Sequence, residues 1–501
     1  MPTKYIVSKI CANRFNLRHL CAICTCALVA ACTEMPKNVA NVDALPDIFP
    51  DYCGVTIPAG IAPLNFNVEN AEKVWVDVIG TDGSQIHAAG QFANFDIDEW
   101  HAITEKNRGS KLTISVSAKS GSQWKKYRDF DIFISADSLN DYGLTYRLIP
   151  PGYETFAHIG IFQRDIHTFK QETIVDGMAI QGECMNCHVP NRTNPDQFQL
   201  HIRGRHSATL IQQNGHRKLL QTATDSTIAN CMYAYWHPSG KYIAYSLNLI
   251  HQTFFEDTSK HIEVFDKASD ALILDVEKNQ LILSDILMTS DFESYPVFSA
   301  DGKKIYYCSS KPYIMENRMN EMRYSLLSID FDAQRGKIGN HADTLINAEI
   351  AHKSITHPRP SYDGRFLMFC MADYSVFPIH HKEADLYIMD LTDNSIRPLA
   401  EVNSDCADTF HNFSQNSRWF VFNSRRLDET NNLLYIAHID KNGNATKPFL
   451  LPQENPKEFY ANNFFSYNVP DFTSKRVELD IRAFAREIYN APRIQVGVRR
   501  N

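Results

Sequence analysis

Phe298-Ser299-Ala300-Asp301-Gly302-Lys303-Lys304-Ile305-Tyr306-Tyr307-Cys308 reads as the end of one strand, a tight Asp-Gly turn and a second, strongly apolar strand. The same grammar returns at Trp236-His237-Pro238-Ser239-Gly240-Lys241-Tyr242-Ile243-Ala244-Tyr245-Ser246 and at Pro360-Ser361-Tyr362-Asp363-Gly364-Arg365-Phe366-Leu367-Met368-Phe369-Cys370. A fourth copy is Phe413-Ser414-Gln415-Asn416-Ser417-Arg418-Trp419-Phe420-Val421-Phe422-Asn423. Each is followed by a further strand-like run ending in Asp, at Asp266, Asp330, Asp390 and Asp440. A repeating unit of four strands is a propeller blade, which cannot bury its faces alone and stacks on its neighbours. Equivalent turn residues lie 62, 62 and 53 residues apart (Gly240, Gly302, Gly364, Ser417). Propeller repeats usually run about 40–50 residues, so long loops are expected to project from one face.

These segments resemble the WD-like repeats of TolB-type β-propellers, with their W/F-S-x-D-G-K-x-I-x-F-x-S signature. The resemblance covers about half the chain and implies an all-β propeller over residues 207–480, with 481–501 as a C-terminal tail. A closing blade is expected to take its outer strands from Ala208–Leu220 and its inner strands from about 460–480, since closure removes exposed sheet edges. About five blades are expected, six being the alternative. Cys308 and Cys370 fall at one position of the repeat, as buried small residues or, less simply, as a redox or metal pair.

Upstream, Lys73–Ile79, Lys111–Ser117 and Phe130–Ile134 alternate with period two between Gly/Asp turns, so residues 51–150 are expected to form a β-sandwich. Residues 151–206 show poor periodicity and read as a connector.

The N-terminus reads as an export signal. Lys4, Lys9, Arg14 and Arg18 precede the apolar run Leu20–Ala31, too short to span a bilayer stably, and no acid lies among residues 1–31. The run closes in Leu28-Val29-Ala30-Ala31-Cys32, which resembles a bacterial lipobox, with Cys32 acylated and residues 32–50 as a tether. An ordinary secretory signal is the alternative. Either way the expected location is the periplasm or cell envelope, with membrane contact through the lipid alone. Losing the four cations of residues 1–31 takes the net charge from −8 to −12. A chain this acidic, without a basic stripe, is a poor nucleic-acid binder.

The motif with chemistry is Cys184-Met185-Asn186-Cys187-His188. Two thiols in C-x-x-C-H spacing can each add across one haem vinyl group, and the adjoining imidazole then ligates the iron. From the chain's own Cys and His counts, about one sequence in a hundred of this length would contain the pentapeptide by chance. A surface dithiol or a partial zinc site are the alternatives, but no second C-x-x-C or H-x₃-H completes a zinc set. One covalent haem c is therefore expected on Cys184 and Cys187 with His188 as proximal ligand. Met178, His201, His206 and His216 are candidates for the sixth position, His201 first and Met178 next. Arg203 and Arg205 are candidates to pair with haem propionates. A hydrolytic site at Asp405–His411 is a weaker alternative, and no nucleophile-elbow, Walker or dinucleotide motif occurs.

The expected function is electron transfer by a monohaem cytochrome whose propeller docks a redox partner, rather than catalysis. The competing reading is a periplasmic or outer-membrane binding module for a protein or glycan, in which the haem is structural or sensory. Fold alone does not choose between them.

Overall fold

A computed structural model describes residues 35–150, 159–180, 183–254, 262–312 and 320–501. The expected signal segment, Cys32 and part of the expected connector fall outside these residues. Among the described residues, six sheets, each with four antiparallel strands and two of them extended by a fifth, parallel strand, are arranged as propeller blades. The innermost strands adjoin one another in a closed ring: Cys184–Asn191, Met232–Trp236, Phe292–Phe298, Ser354–Pro360, Asp408–Phe413 and Ser466–Thr473. The expected number of five is thus corrected to six.

Both missed strands groups lie where the sequence alternates poorly. Blade 1 takes Gly143–Ile149, Gly160–Asp165 and Gln171–Asp176 from the N-terminal side and its innermost strand, Ser466–Thr473, from the C-terminal side. Blade 2 is Cys184–Asn191, Asn194–Arg203, Ala208–Gln213 and His216–Gln221. The stretch expected to be a connector therefore supplies strands to two blades. The chain's two ends do close the ring, but Ala208–Gln213 and His216–Gln221 are the outer half of blade 2, not of the closing blade.

Blades 3 to 6 follow the repeat, and the turn signature has a physical reading. Ser299 Oγ donates to Asp301 Oδ1 at 2.7 Å and accepts from the Lys304 amide at 3.0 Å, while Gly302 takes φ 74°. Ser361, Asp363 and Gly364 repeat this at 2.6 and 2.9 Å, and Ser414 does so with Asn416 and Trp419. Each residue of the signature fills one hydrogen-bonding or left-handed position of the hairpin. The long repeat spacing is taken up in blade 3 by strands of 13 and 14 residues, Tyr242–Phe254 and Ile262–Asp275.

Every innermost strand carries a bulge. The register slips between Asn186 and Val189, Met232 and Tyr235, Ser294 and Val297, Thr356 and Arg359, and Thr409 and Asn412, and again opposite Thr145–Arg147. Tyr233, Tyr295, His357, Phe410 and Val469 sit in these bulges with left-handed φ near 50°. Their rings meet in sequence: Tyr233–Tyr295 centroids are 4.8 Å apart, Tyr295–His357 4.1 Å and His357–Phe410 4.8 Å. In blades 3 to 6 the bulges thus bring one ring from each blade into contact with the next.

Residues 40–134 form a seven-stranded sheet, led by Lys73–Gly80, Gln85–Gly90 and Lys111–Ser120, with a short two-stranded pair, Ile48–Phe49 and Asn67–Val68, in place of an expected second large sheet. A helix, Ile97–Lys106, accompanies them: Asp96 caps it by accepting from the Asp98 and Glu99 amides, and Trp100, Ile103 and Thr104 are its buried stripe. The alternating valines Val74, Val76 and Val78 share one core with Trp419, Phe420 and Phe422 of blade 6, so the sheet is stapled to the propeller wall. The C-terminal tail is structured. Helix Ile481–Asn490 buries Phe484 and Ile488 against blades 1 and 2, and the last strands run parallel to the outer edges of blades 2 and 3, covering edges that would otherwise be open to pairing.

Glu293, buried at the start of blade 4, gives a pH signature. Burial pushes its carboxyl up to about 7, with bonds from Thr289 pulling it down and Asp270 and Asp291 adding to the rise. The folded state thus holds this proton more tightly than the unfolded chain. The stabilisation is complete below the ordinary carboxyl range and is lost as pH rises through 7. Glu293→Gln removes that loss, so the fall in unfolding free energy from pH 5 to pH 8 should be smaller in the variant by on the order of 2 kcal/mol. Equal falls in urea titrations of the two proteins would refute this.

Candidate functional site

The C-x-x-C-H pentapeptide begins the innermost strand of blade 2 instead of a loop. Cys184 pairs with Arg203, Met185 with Ile202 and Asn186 with His201; pairing resumes at Val189 with Gln199, leaving Cys187 and His188 in the bulge. Side chains alternate across a strand. Met185 packs with Ile161, Val175 and Ile180 toward blade 1. Cys184 shares the opposite face with Arg203, whose guanidinium reaches the Met232 sulfur in blade 3 at 2.6 Å.

His188 is buried on the blade 1 side. Its ring faces an apolar crevice of about 30 Å³ with Thr145, Ile161, Ile174, Val175 and Leu200. Nε2 lies 3.9 Å from Asp471 Oδ2 and has no hydrogen-bond partner among the described residues. Burial, and then the nearby Arg147 charge, push its pKa down to about 4, against an opposing main-chain bond at Thr145. The imidazole is therefore neutral at physiological pH, with a free lone pair or N–H at Nε2.

The other residues singled out from sequence are spread around this strand. His201 is buried on the face opposite His188, with Nδ1 3.1 Å from Thr209 Oγ1, and burial followed by Arg203 pushes it down to about 4. The fold does not bring the two imidazoles to opposite sides of one plane. Met178 stands 64% exposed beyond strand Gln171–Asp176. Arg205 and His216 are exposed, and His206 pairs with Glu183 at 3.0 Å beneath Tyr489. Cys308 and Cys370 are both fully buried, their thiols pushed up by burial, as small core residues would be. In the Asp405–His411 segment, Asp408 is tied to Arg426 at 2.8 Å and His411 is buried in the blade 6 bulge.

Haem c is the group this motif implies. The residue types fit it: two thiols in sequence spacing and a buried, unpartnered imidazole nitrogen against an apolar wall. The paired register does not gather them, because Cys184 faces blade 3 while His188 faces blade 1, and the crevice beside the ring holds little more than one water. Among the described residues, no cluster of three or more His, Cys, Asp or Glu is arranged to hold a metal ion.

A second site was not anticipated from the sequence. At the end of the axis that carries the Asp-Gly turns, a funnel of about 520 Å³ opens between Arg192, Thr193, Gln197, Ser239, Tyr362 and Gln415. A second void, of about 10 Å³, shares Arg192 and Tyr362 with the funnel and is lined in addition by Tyr235, Arg359, Asn412 and Asp471. The repeat itself held a signal: Arg359 occupies the position filled by Tyr235, Val297 and Asn412 in the other aligned blades.

No family profile matches the sequence, and no characterised protein matches it by sequence. Several solved structures are similar in fold. TolB from Acinetobacter baumannii shares 12% identity over 76% of this chain and 86% of its own, with a TM-score of 0.44. The periplasmic gluconolactonase PpgL of Pseudomonas aeruginosa shares 13% over 62% of this chain and 97% of its own, with a TM-score of 0.32. A puromycin-hydrolysing peptidase of Mycobacterium tuberculosis shares 9% over 61% of this chain and 46% of its own, with a TM-score of 0.35. The propeller assignment rests on the sheet topology described above.

Proposed function

We propose that this chain is an exported, lipid-anchored protein that carries one haem c on Cys184 and Cys187, with His188 as iron ligand, and that it transfers electrons. The carrying observation is the buried His188 Nε2, without a partner among the described residues, beside a C-x-x-C in a chain whose N-terminus reads as an export signal. A haem held there would supply a one-electron couple. The chain's own contribution is to keep the imidazole neutral by burial and to wall it off from water with blade 1 side chains. The thioether bonds require Cys184–Asn186 to leave their pairing with His201–Arg203, which suits attachment before the blade closes. The location follows from the lipobox reading: periplasm or cell envelope, held by lipid on Cys32, with the propeller as a docking surface for a redox partner. The second reading, a binding module in which the haem is structural or sensory, is favoured by the polar funnel on the axis.

Covalent haem survives boiling in detergent. Protein made in a host with the maturation machinery should therefore give a haem-stained band on a denaturing gel, and Cys184→Ala combined with Cys187→Ala should abolish it. An unstained wild type, or staining that survives the double change, would overturn the proposal.

A further inference from the structure

The funnel gathers positive charge in a chain that carries 58 acids against 50 Lys and Arg. Arg192, at the blade 2 turn, lies over the Tyr362 ring at 5.6 Å, and Arg359, in blade 5, lies over the Tyr235 ring at 5.4 Å. Stacking on aromatic faces orients both guanidinium groups while leaving their N–H edges free. Among the described residues neither has a carboxylate within ion-pair distance. Their hydrogen bonds go to main-chain carbonyls, Arg192 to Ala300 at 2.5 Å and Arg359 to Pro358 at 3.0 Å. By contrast Arg365, Arg418 and Arg426 in the neighbouring blades are paired with Asp390, Asp363 and Asp408.

The one acid in the smaller void, Asp471, feels the Arg359 charge but makes no ion pair with it among the described residues. Asp471 accepts from Asn412 Nδ2 through Oδ1, and its Oδ2 points toward His188. The buried Asn191 Oδ1 at the rim has no hydrogen-bond partner among the described residues. The mouth is otherwise amides and hydroxyls, with Gln197, Ser239 and Gln415 among them, groups that both donate and accept as sugar hydroxyls do. The volume is that of a small-molecule site.

From this placement we infer that the funnel binds a small, hydroxyl-rich ligand bearing an oxyanion, carboxylate or phosphate, which Arg192 and Arg359 take between them. This goes beyond the haem proposal and does not depend on it, since neither arginine belongs to the C-x-x-C-H segment. A bidentate guanidinium contact matches both oxyanions, and the neutral rim accommodates the rest of the ligand.

Calorimetric titration of the full exported chain with glucuronate, glucose 1-phosphate, inorganic phosphate and glucose tests this. Glucuronate or glucose 1-phosphate should bind and glucose should not, and the stronger of the two identifies the oxyanion. Arg192→Gln and Arg359→Gln should each weaken binding about tenfold or more, Arg359→Lys less, and Arg335→Gln, a remote surface change, not at all. Melting curves identify any variant that fails to fold, and Arg192, on an exposed turn, keeps the test available if Arg359→Gln does. Absence of heat with both sugar anions at millimolar concentration would overturn the inference, as would binding unaffected by Arg192→Gln. Binding of an acidic dipeptide but of neither sugar anion would also overturn it, in favour of a peptide ligand.

Discussion

A chain ending at Phe465 should yield no folded propeller, whereas one ending at Pro492 should fold. The first truncation removes Ser466–Thr473, the innermost strand of blade 1. That strand pairs along its length with Gly143–Ile149 across some 320 residues of sequence and buries Tyr467 and Phe472. Without it, blade 1 presents an open row of backbone donors and acceptors to the axis, and blade 6 loses the neighbour that completes the ring. Asn423 loses the Tyr467 carbonyl that its side chain donates to at 2.6 Å, and Arg147 loses Asn468. The sum exceeds the about 5–15 kcal/mol that holds a typical domain together. The second truncation removes the edge-covering strands Ile494–Gln495 and Gly497–Arg500 with one buried apolar residue, Val496, and the hydrogen bonds of Arg493 to His206 and of Asn501 to Ile338. Its cost should be on the order of 2 kcal/mol. Soluble yield and circular dichroism distinguish the outcomes. A native-like spectrum and midpoint for the chain ending at Phe465 would show that ring closure is not what stabilises this fold.

The partners of that strand explain why the blade number was not legible: an inner strand of the closing blade was expected at about 460–480, but the rest of that blade, Gly143–Ile149, Gly160–Asp165 and Gln171–Asp176, was not. Blades 3 to 6 announce themselves because the turn residues Ser299, Asp301 and Gly302 and their counterparts each perform a local task, so the pattern survives in sequence. Ser466–Thr473 carries Pro470 in its bulge and precedes no Asp-Gly turn, and its partner lies at the far end of the chain. Non-local pairing leaves no local mark. Blade 2 hid for a related reason: its innermost strand reads Cys-Met-Asn-Cys-His-Val-Pro-Asn, with no alternation, and its turn uses Arg192 at φ 56° where the others use Gly or Ser. In the N-terminal sheet, Asp96-Ile97-Asp98-Glu99-Trp100 did carry a helix start, a capping acid before an acidic first turn, but the strands around it set the reading.

The two sites were legible to different degrees for the same physical cause. The C-x-x-C-H motif is local, so its chemistry could be named from five residues. The face on which each residue lies could not, because the bulge between Asn186 and Val189 breaks the alternation that would assign it. The funnel and the void beside it are lined by residues that are far apart in sequence, from blades 2, 3, 5 and 6 and the end of the closing strand, and only Arg359, as the odd member of a repeat position, stood out in the sequence. His201 shows the limit of sequence proximity. It lies 13 residues beyond His188, yet antiparallel pairing puts it across the sheet from it.

Trp419→Ala should cost about 3–5 kcal/mol, the range for removing a buried tryptophan, and should loosen the N-terminal sheet from the propeller. Trp419 opens the second strand of blade 6, Trp419–Ser424, and is fully buried in the core shared by the two parts. Its Nε1 donates to the Asp137 carbonyl at 3.3 Å, and its ring meets His438 edge-on at 4.9 Å. His438 Nε2 in turn lies 2.8 Å from Asp137 Oδ2. Asp137 belongs to the segment that leaves the sheet for blade 1, so one indole ties three elements together. Gln415 and Asn416 add contacts from the same turn to Asp141 and Ser138. Alanine would leave a cavity the size of an indole and orphan the Asp137 carbonyl, while Trp419→Phe would keep most of the apolar contact and lose the hydrogen bond, at about 1–2 kcal/mol. Urea unfolding followed by circular dichroism gives both values, and limited proteolysis reports the junction: residues 135–142 should be cut faster in the alanine variant than in wild type, with phenylalanine between them. A loss below about 1 kcal/mol for Trp419→Ala, or unchanged cleavage at the junction, would mean that the sheet is held to the propeller elsewhere, for example where Thr56–Ile57 lies against Leu433–His438.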